Sequence, residues 1–127
     1  MNINDKPFAV IDIGSNTVRL VIFNGLNSGF IPLYNERVQC GLGKDLTTTG
    51  NLSPESIVVA INAVQRFKII AESMGATIEV FATAAVREAN DQKYFINKLL
   101  KLGIKITVLS GADEAKFSSA GVFSSFL

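Results

Sequence analysis

Three short stretches of this chain of 127 residues carry side chains that could do chemistry. The first is DIGSNT, inside FAVIDIGSNTVRLVIF (residues 8–23), where Asp12 interrupts an apolar run and Gly14, Ser15, Asn16 and Thr17 follow. Gly14 allows close backbone approach. Successive N–H groups in such a turn can hold a phosphate, and the hydroxyl and amide side chains add neutral donors. Beside phosphate, an acid makes sense when it holds a divalent cation. The same residues are ordinary turn formers, so a plain hairpin fits this stretch as well. Asp12 favours the first reading, because an unpaired carboxylate inside an apolar strand is costly and demands a partner. The second stretch is ATAAVREA, residues 82–89. It leaves a β-rich run, and Arg87 there could grip a phosphate with two parallel N–H bonds or simply pair with Glu88. The third is SGADEA, residues 110–115, which follows ITVL and opens a helix. Asp113 and Glu114 fall in its first turn, where the dipole favours acids, and strand ends feeding helices collect active-site groups in α/β folds. Lys44 and Thr47–Thr49 offer a weaker fourth set, either touching a polyanion or standing as solvated loop.

Composition narrows the chemistry. The chain has no His, which removes Ser/His/Asp triads, His-based zinc sites and imidazole acid/base work. Cys40 is the single cysteine, so there is no internal disulfide and no CxxC zinc pattern. Net charge is +1, with no field strong enough to argue for nucleic acid or an anionic membrane. No apolar run approaches membrane-spanning length, and no signal-peptide pattern opens the chain. These features suit a reducing cytoplasm. What remains for catalysis is carboxylates, hydroxyls, amides, Lys, Arg and backbone N–H groups.

Those groups must be positioned by elements, and the pattern predicts them. Phe8–Ile13 and Thr17–Phe23 are Val/Ile-rich and separated by a short turn, a β-hairpin. Turn signals over Asn24–Gly29 lead to a third strand over Phe30–Val38. Residues 41–52, with three consecutive threonines, read as a loop. Ser53 as cap, Pro54 at the first helical position and Glu55 in the first turn open a helix. Ile57, Ala60, Ile61, Val64, Phe67, Ala71 and Met74 share its apolar face, and Gly75 stops it. A strand over Ile78–Thr83, a helix over Asp91–Leu102 and a strand over Ile104–Leu109 follow. From Gly111 the pattern is helical to the end, with Ala115, Val122 and Phe126 on one face. The order is β-β-β-α-β-α-β-α in one α/β domain, residues 1–127: an antiparallel part, then parallel strands with crossover helices.

The run FAVIDIGSNTVRLVIF, the loop LGKDLTTTGNLS, ATAAVREA and LSGADEAK, in register over nearly the whole chain, resembles the exopolyphosphatase and guanosine pentaphosphate phosphohydrolase (Ppx/GppA) family. The resemblance implies a ribonuclease-H-like fold of the sugar kinase, heat-shock-protein-70 and actin superfamily, which the predicted order matches. It implies a hydrolase removing the terminal phosphate of polyphosphate or guanosine pentaphosphate, with guanosine tetraphosphate as a further possible ligand. It also implies roles: Glu114 as the acid that orients and deprotonates the attacking water, Asp12 as the Mg²⁺-associated acid, and Gly14, Ser15, Asn16, Thr17 and Arg87 as phosphate-binding groups.

Members of that family continue into a second, similar domain carrying another glycine-rich turn and carboxylate. The chain is therefore expected to be the N-terminal domain of a two-domain phosphatase, inactive when isolated because its C-terminal partner domain is missing. The surface that domain would cover, and the ending GVFSSFL, lead us to expect an apolar patch and self-association as a homodimer. Two other readings stay open: a non-catalytic module that binds nucleotide or polyphosphate, and a sugar-kinase-like domain, whose opening turn is similar but which lacks SGADEA in this place.

Overall fold

Strand β1 (Phe8–Ile13) forms the middle of a five-stranded sheet because its neighbours pair with it on both sides. The computed structural model describes residues 6–25 and 31–119. On one side lies β2 (Thr17–Phe23), antiparallel in the register Asp12↔Arg19; on the other lies β4 (Thr77–Ala82), parallel in the register Asp12↔Phe81. The antiparallel strand β3 (Pro32–Gln39) and the two-residue parallel strand β5 (Thr107–Val108) complete the order β3-β2-β1-β4-β5. The helices are α1 (Leu46–Thr49), α2 (Pro54–Ser73), α3 (Ala84–Glu88), α4 (Gln92–Lys101) and α5 (Gly111–Ser119).

Alternation along the strands divides the sheet into two faces. Ala9, Ile11, Ile13, Val18, Leu20, Ile22, Val80 and Ala82 join Ile57, Ala60, Val64, Phe67 and Ala71 of α2, and Phe95 and Leu99 of α4, in the main core. Val10, Val21, Phe23 and Leu109 form a smaller cluster with Phe8 and Phe81. Strand β2 is buried almost throughout, whereas the edge strand β3 alternates exposed and half-buried residues, as an edge packed on one face must.

Several elements differ from the sequence expectation. The 41–52 loop contains the short helix α1, closed by Gly50 at φ 76°. Two of its three exposed threonines bond their own backbone: the Thr48 and Thr49 hydroxyls both donate to the Asp45 carbonyl. Lys44 pairs with Glu55 at 2.8 Å. Ser53 occupies the N-cap position of α2 with extended backbone, yet makes no side-chain capping bond. Met74, expected on the apolar face, is exposed, because the helix ends at Ser73 and Met74 belongs to its cap. The strand expected over Ile104–Leu109 pairs only at Thr107–Val108, although Ile104, Ile106 and Leu109 are buried. Hydrophobic burial there does not require ladder pairing. Ala115 is exposed; Val122 and Phe126, with the rest of the expected GVFSSFL patch, lie outside the described residues.

Candidate functional site

Parallel pairing of β1, β4 and β5 brings their C-terminal ends to one edge of the sheet. Backbone rungs extend past the strands, with Thr83 N–H donating to the Ile13 carbonyl and Leu109 N–H to the Ala82 carbonyl. The three stretches singled out in the sequence thus leave the sheet side by side. In open α/β sheets this is the edge where ligands bind.

The turn after β1 is held by its carbonyls. Gly14 N–H donates to the Thr17 carbonyl at 2.9 Å, and a Cβ on Gly14 would sit 3.2 Å from that same oxygen. The Ser15 carbonyl accepts from Gly43 N–H, and the Asn16 carbonyl from both Cys40 and Gly41 N–H. In planar trans peptides the N–H points opposite the preceding carbonyl, so the N–H groups of Asn16 and Thr17 face away from the 40–43 segment. The turn and α3 meet over Gly43, where an added Cβ would lie 3.4 Å from the Cβ atoms of both Ser15 and Ala85. Burial pushes the Cys40 thiol upward in pKa, which removes the neighbouring sulfur as a ready nucleophile.

Arg87 lies in the last turn of the short helix α3 and points across to the start of α5. Its Nη1 donates to the Leu109 carbonyl at 2.9 Å and to Glu114 Oε2 at 3.0 Å, while Glu88 stands at 3.8 Å from Nη2. Arg87 is partly buried and Glu88 largely exposed, so the Glu114 contact is the stronger of the two. Glu114 is set by its helix start: Ser110 Oγ accepts from Asp113 N–H at 3.0 Å, the geometry of an N-cap.

Asp12 is the third charged member. Its Oδ1 is buried and has no hydrogen-bond partner, so the partner that the sequence demanded is not supplied at that oxygen by the described residues. Burial first, and the neighbouring Glu114 charge second, push its carboxyl from an ordinary 3.8 to about 6. Asp12, Arg87 and Glu114 are therefore brought together, with the Gly14–Thr17 turn at the end of the Asp12 strand. A hard divalent cation such as Mg²⁺ takes oxygen ligands, commonly one or two carboxylates with waters and substrate phosphates completing the shell. An orphaned buried carboxylate oxygen fits that use. Among the described residues no group of three or more His, Cys, Asp or Glu converges.

A groove of about 610 Å³ lies elsewhere, between α2 and α4, lined by residues that include Ile57, Ile61, Tyr94, Lys98 and Leu102. None of the charged triad reaches it. The chemistry argues for the strand edge, since convergent titratable groups, and not concavity alone, mark a reactive site.

Comparison with known proteins assigns the chain. The Ppx/GppA phosphatase family matches residues 21–127. The chain belongs to the Ppx/GppA phosphatase family. Arg87 and Glu114 lie within the matched span, and the Asp12–Thr17 turn just before it. This Ppx/GppA chain is 28% identical over 116 residues to exopolyphosphatase 1 of Mycobacterium leprae, covering 89% of this chain and 34% of that protein. It is 32% identical over 127 aligned residues to the bifunctional 3-dehydroquinate synthase/phosphatase of Fusobacterium nucleatum, covering 93% and 19%. Among solved structures, an exopolyphosphatase from Cytophaga hutchinsonii superposes with a TM-score of 0.85 at 30% identity, over 94% of this chain and 39% of that one. The Aquifex aeolicus family member gives 0.79 at 24% identity, over 84% and 35%. The ribonuclease-H-like reading of the fold stands. The chain spans about a third of the length of the curated exopolyphosphatases it matches.

Proposed function

We propose that the strand edge is one wall of a site that hydrolyses a terminal phosphoanhydride bond, with inorganic polyphosphate or guanosine pentaphosphate as substrate. The observation that carries this reading is the convergence of Asp12, Arg87 and Glu114, with Nη1 of Arg87 at 3.0 Å from Glu114. Phosphoryl transfer asks a protein chiefly for positioning and charge stabilisation, and these residue types supply both. The outward N–H groups of Asn16 and Thr17 and the guanidinium of Arg87 donate to phosphate oxygens. Glu114 accepts the proton of the attacking water. Asp12 holds Mg²⁺, which when bound offsets the charge of the phosphates. Facing groups come from the remainder of the longer protein, which the shared length with the relatives leaves room for; the 127 residues by themselves bind substrate without efficient turnover.

The test is phosphate release from polyphosphate and from guanosine pentaphosphate by the full-length protein and its Glu114→Gln variant. General-base loss is expected to lower kcat by roughly 10²- to 10⁴-fold with substrate binding retained. A variant within a few-fold of the parent would overturn the assignment of Glu114. Substrate binding by the parent with no release of phosphate would favour the binding-module reading instead.

A further inference from the structure

Helix α3 has only five residues, Ala84–Glu88. So short a helix has little stability of its own, and its last carbonyls have no partner within it. Arg87 sits in that last turn, so the placement of its guanidinium depends on whatever holds those carbonyls. Among the described residues the Ala89 N–H reaches the Val86 carbonyl at 3.4 Å, and one side chain reaches the carbonyls of both Val86 and Arg87. Nε2 of Gln92 donates to the Val86 carbonyl and to the Arg87 carbonyl, both at 3.0 Å. Two carbonyl acceptors leave the amide one sensible orientation, since its own oxygen could not face them. Gln92 is the first residue of α4, and α4 is fixed to the core by Phe95 and Leu99, both fully buried. The backbone of Arg87 is thus clamped from a rigid helix, while its side chain is held by the Leu109 carbonyl and Glu114.

We propose that Gln92 is a positioning residue for Arg87, fixing the α3 terminus so that the guanidinium is already aimed when a phosphate arrives. The inference deepens the proposed function and rests on Arg87 being a phosphate-binding group there. A long side chain that is ordered in advance loses less freedom on binding, so the effect belongs in affinity for the phosphate ligand and not in the chemical step.

The experiment is a double-mutant cycle on the full-length protein with Arg87→Ala and Gln92→Met, the latter removing both donors without adding charge or much altering shape. Polyphosphate binding and the split between KM and kcat are measured for all four proteins. Gln92→Met is expected to weaken binding and raise KM roughly 2- to 10-fold, the worth of about one ordinary hydrogen bond, with kcat unchanged. In the Arg87→Ala background the same change is expected to do nothing further. Additive effects, or no effect of Gln92→Met alone, overturn the proposal. A second readout is independent of ligand: the Arg87 Nη resonances, dispersed when the guanidinium is held by two acceptors, collapse together in Gln92→Met if Gln92 sets its place. Should Arg87→Ala leave binding intact, the phosphate role of Arg87 falls, and this readout alone decides Gln92: retained dispersion refutes it and collapse sustains it.

Discussion

Asp12 sits where a folding chain should resist placing a charge. Its strand is paired on both sides, so the backbone cannot swing the carboxylate toward water. Its raised pKa of about 6 has a defined consequence for stability. The folded state binds the Asp12 proton more tightly than the unfolded chain does, so the contribution of this group is full below about pH 3.8 and is lost as pH rises through about 6. Replacing Asp12 with Asn removes the ionisation. Asp12→Asn is expected to be more stable than the parent at pH 7 to 8, by on the order of 1–3 kcal/mol, with the gap closing below pH 4. Thermal melts of both proteins across that range, without added divalent cation, check this; a constant or inverted gap would refute it. Added Mg²⁺ should narrow the gap at neutral pH if Asp12 takes the cation, because binding then stabilises only the parent. The sequence made the cost of this acid legible, through its place in an apolar run. It could not show Glu114 as the second cause of the shift, because the two residues meet only once β1 and α5 share an edge. The Arg87–Glu114 pair, 27 residues apart, was hidden for the same reason.

At the scale of elements, the long periodic segments were readable and the short ones were not. Strands β1 and β2 and helix α2 follow the expected boundaries closely because pattern, cap position and stop residue agree. Helices α1 and α3, of four and five residues, are too short for a periodic signal and are joined to each other across a long stretch of chain. Leu52 N–H donates to Asp91 Oδ1, and Asn90 N–H to the Gly50 carbonyl, so the 41–52 segment is stitched to the α3–α4 joint. Gly50 is the close point of that seam. It has φ +76°, and a Cβ there would come within 2.5 Å of Asn90 Nδ2. Gly75 has a similar φ of +72° but nothing within 4 Å of the same position. Both substitutions to Ala carry the backbone cost of about 1 kcal/mol; Gly50→Ala must also displace Asn90. Denaturant titration is expected to show Gly50→Ala losing more stability than Gly75→Ala, by roughly 1 kcal/mol. Equal losses would mean that the seam yields freely and does not hold α3.

Over the whole molecule, the main core is a single cluster joining both halves of the sheet to α2 and α4, and the charged groups stand at its rim. Exposed Ile31, Leu33, Val58, Val59 and Ile69 come from β3, the segment before it and α2. The most protected backbone and the candidate chemistry are therefore neighbours, since Asp12 belongs to the central strand. The seam between Leu52 and Asp91, which spans 39 residues, also has a meaning in time. The β1–β2 hairpin needs only local contacts and can form within microseconds. Arg87 reaches its place only after β4 has docked beside β1 and the seam has closed, and Glu114 only after α5 follows. Contacts of long sequence separation form slowly because the chain must first lose loop entropy. In a stopped-flow refolding experiment, strand and helix signal by circular dichroism is expected to recover before the capacity to bind polyphosphate; coincident phases would count against this order. A nascent chain would thus carry a finished turn for some while before it could hold an anion, and the ability to recognise phosphate would be among the last properties it acquires.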